Sequence, residues 1–371
     1  MSRKGVLIVG AGIAGAATAY FLAQRGLRVV VIDRESTPGT HSTGRNAAIL
    51  RTAIPEPALH ALAADSRRFY AAPPAGFSEI PLFDAVGLYL AAPEGAAEGL
   101  RAWTALPECA SGGSEVPVEQ LYAAYPQLAQ DLALAMHFPK EGSLDVDAIL
   151  SGFLRGARAA GAELRLGVEA LALAKLGEKV IGVETSDGLI EADDVVLASG
   201  AWAGRLPGAL GWPIGLTPKR RHLLVTSRLP ALDPRSPVVW LAGDEFYFRP
   251  ESGGLMLCAC DQDAVDPDQG EEVRDEVLEL IAEKAARWLP GFDDLQAAHC
   301  WAGMRTFADD PLFVVGPDPR APGLHWVAGL GGHGITTGAA VGRLAAEWIA
   351  EGWSAHPCAQ ALLPRVPVGK S

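Results

Sequence analysis

The chain has 371 residues, enough for two or three lobes at about 100–200 residues each. Hydrophobic residues make up 49% and charged residues 20%, which supports a large core and excludes general disorder. Thirty-one Lys and Arg against 44 Asp and Glu give a net charge of −13, which excludes nucleic acid as the main partner but not a local anion site.

Residues 5–23 carry no charge and follow Arg3 and Lys4, as a leader peptide or membrane span would. Three ordered glycines and the nearby Asp33 fit a strand, turn and helix better, so no transmembrane segment is expected. Residues 6–9 form an apolar run, Gly10-Ala11-Gly12-Ile13-Ala14-Gly15 follows, 16–25 reads as helix, and 28–32 as a second strand. A helix through 66–70 ends at Pro73-Pro74, and 86–91 alternates weakly as a strand. Residues 93–144, rich in Pro, Gly and Ala, show no clear period. Beyond them come a helix over 146–159, a strand over 163–166, and a hairpin at Ser186-Asp187-Gly188. Residues 195–198 are a buried strand closed by Ser199-Gly200. Runs at 223–226, 246–249 and 255–260 predict an antiparallel sheet outside the nucleotide fold, followed by an amphipathic helix over 271–288. A strand over 324–328 and a helix over 337–349 close the pattern. The five cysteines form no CxxC pair, which fits a reducing compartment and no structural metal site. A cytoplasmic location follows, with the inner-membrane surface as a second one.

The glycine motif sits where a dinucleotide needs it. The first Gly permits the tight turn, the second a close pyrophosphate, and the third helix–strand packing. The free amides of the helix start face the anion, and Asp33 can accept from a ribose hydroxyl. A nicotinamide fold usually finishes within about 150 residues. Here nucleotide-like segments recur downstream at 195–200 and 324–338, and Gly331-Gly332-His333-Gly334 forms a second helix-start site. That distribution favours FAD over NAD.

The fingerprint, Trp301-Ala302-Gly303-Met304-Arg305 and Gly331–Gly334 resemble the D-amino-acid oxidase/glycine oxidase superfamily of flavoproteins over nearly the whole chain. His41-Ser42-Thr43-Gly44-Arg45-Asn46-Ala47-Ala48, Pro73–Phe77, Pro218–Arg221 and Phe246-Tyr247 bring it nearest to bacterial D-arginine dehydrogenase-type enzymes. The resemblance implies an α/β fold, a Rossmann-like FAD-binding domain interleaved with an α+β substrate domain on a mixed or antiparallel sheet. The expected FAD domain is 1–80, 145–210 and 298–371; the substrate domain is 81–144 and 211–297. Noncovalent FAD is expected against Gly10, Gly12, Ile13, Ala14, Gly15, Asp33 and Arg34, and against His41, Ser42, Thr43, Arg45, Asn46, Ala47 and Ala48. The remaining contacts are Val168, Ser199, Gly200, Trp202, Gly303, Arg305, and Gly331, Gly332, His333, Gly334, Ile335 and Thr336. A covalent flavin on His41 is the competing reading.

Oxidising an amino acid at Cα needs few side chains, because the flavin takes the hydride. The protein must hold the carboxylate, orient Cα–H and exclude water. Arg305 suits bidentate carboxylate capture, and the resemblance adds Tyr247 and Arg221. Core packing for Tyr247 and a solvated basic turn for Arg221 are the alternatives. His333 is a candidate proton acceptor, or a bystander in a turn whose backbone does the work. Ile49, Ile54 and Leu88 stand where the D-arginine type places His, Tyr and Glu. They are expected to line an apolar substrate pocket without a counter-charge for a cationic side chain. The implied reaction is oxidation of a small, uncharged D-amino acid to imino acid, then 2-oxo acid and ammonia. The electron acceptor would be O2, a quinone or another carrier. Alternatives are a secondary amine such as sarcosine, glycine or proline, a 2-hydroxy acid, or a flavin-binding subunit without turnover.

Overall fold

The computed structural model describes residues 5–110, 112–292 and 295–365. Residues 1–4 and 366–371 of the expected FAD domain, Arg3 and Lys4 among them, lie outside this range. The fold is mixed α/β, built on two large sheets. The first has six strands, in the order Val314–Pro317, Leu324–Ala328, Asp194–Leu197, Gly5–Val9, Arg28–Asp33, Glu163–Leu166. All its pairs are parallel except the first, which is antiparallel. A parallel strand covered on both faces must be apolar throughout, and residues 6–9 are buried accordingly.

The helix Ile13–Gln24 buries 11 of its 12 residues. It crosses the helix Gly334–Glu351 where Cβ atoms on Gly338 or Gly342 would come within 2.6 Å of Ile13 or 2.5 Å of Ala17. Glycine there lets two backbones meet. On its other side Tyr20 and Phe21 join Phe69, Phe77 and Phe153 in an edge-to-face cluster, with centroids 5.0–6.2 Å apart.

The second sheet has eight strands, with Val238–Leu241 and Leu88–Ala92 as its parallel pair. Its longest pairing runs from Leu216 opposite Ala308 to Thr226 opposite Ala297. The strand Ala297–Ala308 thus pairs within the eight-stranded sheet and not the first, and it starts one residue before the expected boundary at 298. The unreadable stretch 93–144 contains the helices Glu94–Thr104 and Val118–Ala124 and the strands Leu134–Phe138 and Gly142–Leu144. Apart from the 11-residue helix Glu94–Thr104, these elements are too short to display a period. The helix expected from 271 starts at Asp275, which frees Glu271 for the site described below. Among the described residues no helix is long and apolar enough to cross a membrane.

The fingerprint geometry gives a paired test. A Cβ on Gly15 would lie 1.9 Å from the carbonyl oxygen of Gly10, a backbone atom that no rotamer change can clear. Gly15→Ala is expected to cost about 1–3 kcal/mol, lowering Tm by about 2–4 °C per kcal/mol. Gly99, exposed within Glu94–Thr104, has open space around its Cβ position. Gly99→Ala should therefore stabilise by roughly 0.5–1 kcal/mol. Thermal unfolding of the two variants checks both signs.

Candidate active site

One elongated cavity runs between the two sheets, and every expected site residue lines it except Gly15, Ile54 and Leu88. Its first end is built on the fingerprint. Gly10 turns at φ +111°, and its N–H donates to Ile32 O at 2.8 Å. The helix after it presents its first amides, one of which, on Ile13, donates to Thr43 Oγ1 at 3.0 Å. Asp33 closes the second strand. Its carboxylate accepts from Ala11 N at 2.7 Å and Glu35 N at 2.9 Å, which fixes its direction. Arg34 lies 4.2 Å from the Trp202 ring centre, and His41 packs on the same ring at 4.5 Å. Glu35, a lining residue the sequence reading missed, bonds Nε2 of His41 at 3.0 Å; Glu271 bonds Nδ1 at 2.8 Å. Val168 and Ser199–Gly200 complete this end.

The segment 41–48 forms the middle of the wall. Ala48 adopts φ +52°, and its N–H donates to Asn46 Oδ1 at 2.5 Å, while Asn46 Nδ2 donates to Thr43 O. Arg45 donates to Ala302 O at 3.2 Å and pairs with Glu271 at 3.1 Å. A Cβ on Gly303 would lie 2.9 Å from the Arg45 backbone and side chain. Glycine in the Trp301–Arg305 motif thus lets this segment lie against the substrate sheet.

The far end is cationic. Arg305 and Arg221 enter it from neighbouring strands, with Lys219 opposite Arg305 and Arg221 opposite Gly303. Arg305 donates to Gly331 O at 3.3 Å, and a Cβ on Gly332 would sit 2.0 Å from its Nε. Burial and the Arg221 charge pull the Arg305 guanidinium down to about 10, so it stays protonated near neutrality. Arg221 donates to Asp261 O at 2.7 Å and approaches Cys258 Sγ at 3.7 Å. Burial acts to lower it, but Cys258, Tyr247 and Cys260 hold it above its ordinary value. Burial acts to raise the Cys258 thiol, yet Cys260 and Arg221 bring it to about 6. Tyr247 is buried and its phenol lies well above the ordinary range, burial being the main cause. His333 is lowered to about 3 by burial and by the Arg51 and Arg305 charges. So weakly basic a ring is neutral near neutrality, the form that can hydrogen-bond but takes up a proton poorly.

Two expected pocket residues lie elsewhere. Ile54 packs in the core under the first sheet, beside Leu59 and Leu62. Leu88 packs with Leu100, Phe138 and Val238, roofed by the helix Glu94–Thr104. Ile49 does line the cavity, with Trp240 and Arg51 as neighbours that were missed. Arg51 follows Ile49 by two residues, the spacing that keeps a side chain on one face of an extended chain, and that was the readable signal.

The cavity fits a dinucleotide: a glycine turn at a helix start, an oriented carboxylate, and a long wall of backbone. The family model for FAD-dependent oxidoreductases (DAO) matches residues 5–348. Glycine oxidase of Pseudomonas aeruginosa is 30% identical over 358 residues, covering 94% of each chain. Among solved structures, glycine oxidase from Geobacillus kaustophilus superposes with a TM-score of 0.86 at 25% identity, covering all of both chains. L-Proline dehydrogenase from P. horikoshii superposes at 0.88 and 21% identity, covering 98% of this chain and 97% of that one, a likeness of fold. The D-arginine dehydrogenase subtype is not distinguished by these relatives. With the fingerprint, the second glycine turn and the carboxylate-sized cationic end all in one cavity, this chain belongs to the DAO family of FAD-dependent oxidoreductases, enzymes that oxidise amino acids and related amines.

Proposed function

We propose that this enzyme oxidises the CH–N bond of a small amino acid or N-substituted glycine whose carboxylate is held by Arg305, with Tyr247 and Arg221 completing the anchor. The observation that carries this reading is the charge layout of the cavity. Its lining carboxylates, Asp33, Glu35 and Glu169, stand at the fingerprint end, where Arg34, Arg45 and Arg205 pair with acids, whereas Arg221 and Arg305 stand at the other end, which, among the described residues, no lining carboxylate reaches. FAD would lie along the wall from Gly10–Ala14 and Asp33, past Thr43–Ala48, to Gly331–Thr336. Bound there, it supplies the two-electron acceptor for the reaction.

The residues do the rest. Arg305 gives a planar donor pair for the carboxylate, and the burial of Tyr247 keeps its phenol protonated as a donor. Both fix the Cα–H direction. Loss of hydride from Cα and of a proton from nitrogen leaves the imino acid, which water converts to 2-oxo acid and ammonia or amine. Electrons then leave to O2, a quinone or another carrier. With His333 so weak a base, we assign loss of the substrate ammonium proton to solvent, before or on binding. The glycine oxidase relative supports a compact amine as much as a D-amino acid with a larger side chain. The expectation of an apolar side-chain pocket loses two of its three supports, since Ile54 and Leu88 lie outside the cavity. Among the described residues that line that end there is no carboxylate, which supports an uncharged or acidic side chain over a cationic one.

Both ring nitrogens of His41 are engaged by carboxylates, which supports noncovalent FAD. Acid precipitation of the purified protein is expected to release all the flavin into the supernatant; yellow colour kept in the pellet would mean a covalent link. Arg305→Met should keep FAD bound yet lower kcat/KM by about 30- to 4000-fold, the equivalent of roughly 2–5 kcal/mol for a charged hydrogen-bonded pair. Near-normal kcat/KM in that variant would assign Arg305 to structure. For His333→Asn, kcat/KM should rise with pH along the same limb as the parent between about pH 6 and 9, the limb belonging to the substrate amine. A limb displaced by the substitution would make His333 the titrating group.

A further inference from the structure

Arg51 stands at the cationic end, and the reading above does not use it. Its guanidinium lies 4.5 Å from the Trp240 ring centre, 5.7 Å from that of Trp103, and 3.5 Å from His333 Nε2. Aromatic faces hold a planar cation in place without neutralising it. Among the described residues, Arg51 forms no ion pair with a carboxylate. Glu141 and Glu245 act on it through space; Glu141 Oε1 is taken by Thr52 N and Oγ1 at 2.6 Å each and Ala53 N at 2.9 Å, and its Oε2 forms no hydrogen bond to Arg51. Burial also raises the Glu141 carboxyl, which weakens it as a counter-ion.

The other two guanidiniums differ from it. Arg221 has Cys258 and Asp261 for partners. Arg305 is the anchor for one carboxylate. A substrate with a single carboxylate would therefore leave Arg51 as a partly buried cation without a carboxylate partner, which is costly. Resting on the amino-acid reading, we propose that the substrate carries a second carboxylate and that Arg51 binds it. The substrate class is then an amino acid whose side chain or nitrogen substituent ends in a carboxylate. Trp240 and Ile49 would pack against the methylenes between the two acid groups.

Non-reacting ligands test the subsite without turnover. The oxidised holoenzyme is titrated with malonate, succinate and glutarate, and with propionate, butyrate and pentanoate as one-acid counterparts, following the flavin spectrum. At least one dicarboxylate is expected to bind about 10- to 150-fold tighter than its counterpart, the range for one added charged hydrogen-bonded contact. Arg51→Met should abolish that difference, and Arg51→Lys should restore part of it. Equal affinities within every pair, or a preference that survives Arg51→Met, would overturn the proposal. Anaerobic reduction by D-Asp, D-Glu and iminodiacetate, against D-Ala, glycine and sarcosine, then separates the two readings. Bleaching by the neutral amines alone overturns the second-carboxylate proposal and leaves amine oxidation intact. A dicarboxylate preference lost in Arg51→Met, with no amine bleaching the flavin, upholds the subsite and sinks the oxidation reading.

Discussion

The wall segment 41–48 is the joint on which both ends of the cavity depend. Thr43 Oγ1 accepts from the first amide of the fingerprint helix, so the segment is tied to the dinucleotide lobe. Arg249 of the substrate sheet donates to Ala47 O at 2.7 Å, and Leu144 N donates to Ala48 O at 2.9 Å. Between these ties the chain passes through a left-handed residue, Ala48, that Asn46 holds in place. An Ala at positive φ costs free energy unless its surroundings hold it there, and here Asn46 and Leu144 bond its N–H and C=O. The segment can thus face two sheets at once, and its continuation brings Ile49 and Arg51 to the substrate end.

The second organising feature is separation of charge within an acidic protein. The chain carries a net charge of −13, yet one end of its main cavity gathers three guanidiniums. Their positions are secured without nearby acids in most cases: Arg305 by a carbonyl and the Phe307 ring, Arg51 by indole faces. Carbonyls and rings orient a cation while leaving its charge available to a ligand. At the fingerprint end the opposite holds. Arg45 and His41 are tied to Glu271 and Glu35, which fixes the wall and leaves backbone amides to meet an anion.

Legibility in the sequence followed the range of the interactions. The fingerprint was readable because strand, turn, helix and acid lie within about thirty residues and each has a local reason. Arg305 was readable through the resemblance of its short motif. Ile54 and Leu88 were placed in the pocket by the resemblance. Leu88 shares its sheet face with Trp240, but Leu100 and Phe138 pack around it. Ile54 lies on an irregular segment before the helix Pro57–Ala71 and packs in the core. The pairing of Ala297–Ala308 with Leu216–Thr226 spans some eighty residues, and no local signal records a pairing of that separation.

On the proposed reading, the placement of the three arginines also separates anchoring from selection. Arg221 and Arg305 sit on the long paired strands, where eleven registered pairs fix their spacing. A group that must hold a carboxylate to within a fraction of an ångström belongs on such an element. Arg51 sits just past the two-residue strand Ile49–Leu50, and Trp103 comes from a helix packed outside the sheet. Those elements can shift without disturbing the sheet register, so the residues that read the rest of a substrate can change while the anchor stays. A two-lobed flavoprotein of this kind can therefore take different amines with one carboxylate grip, and its specificity is written in the connecting segments rather than in the sheet.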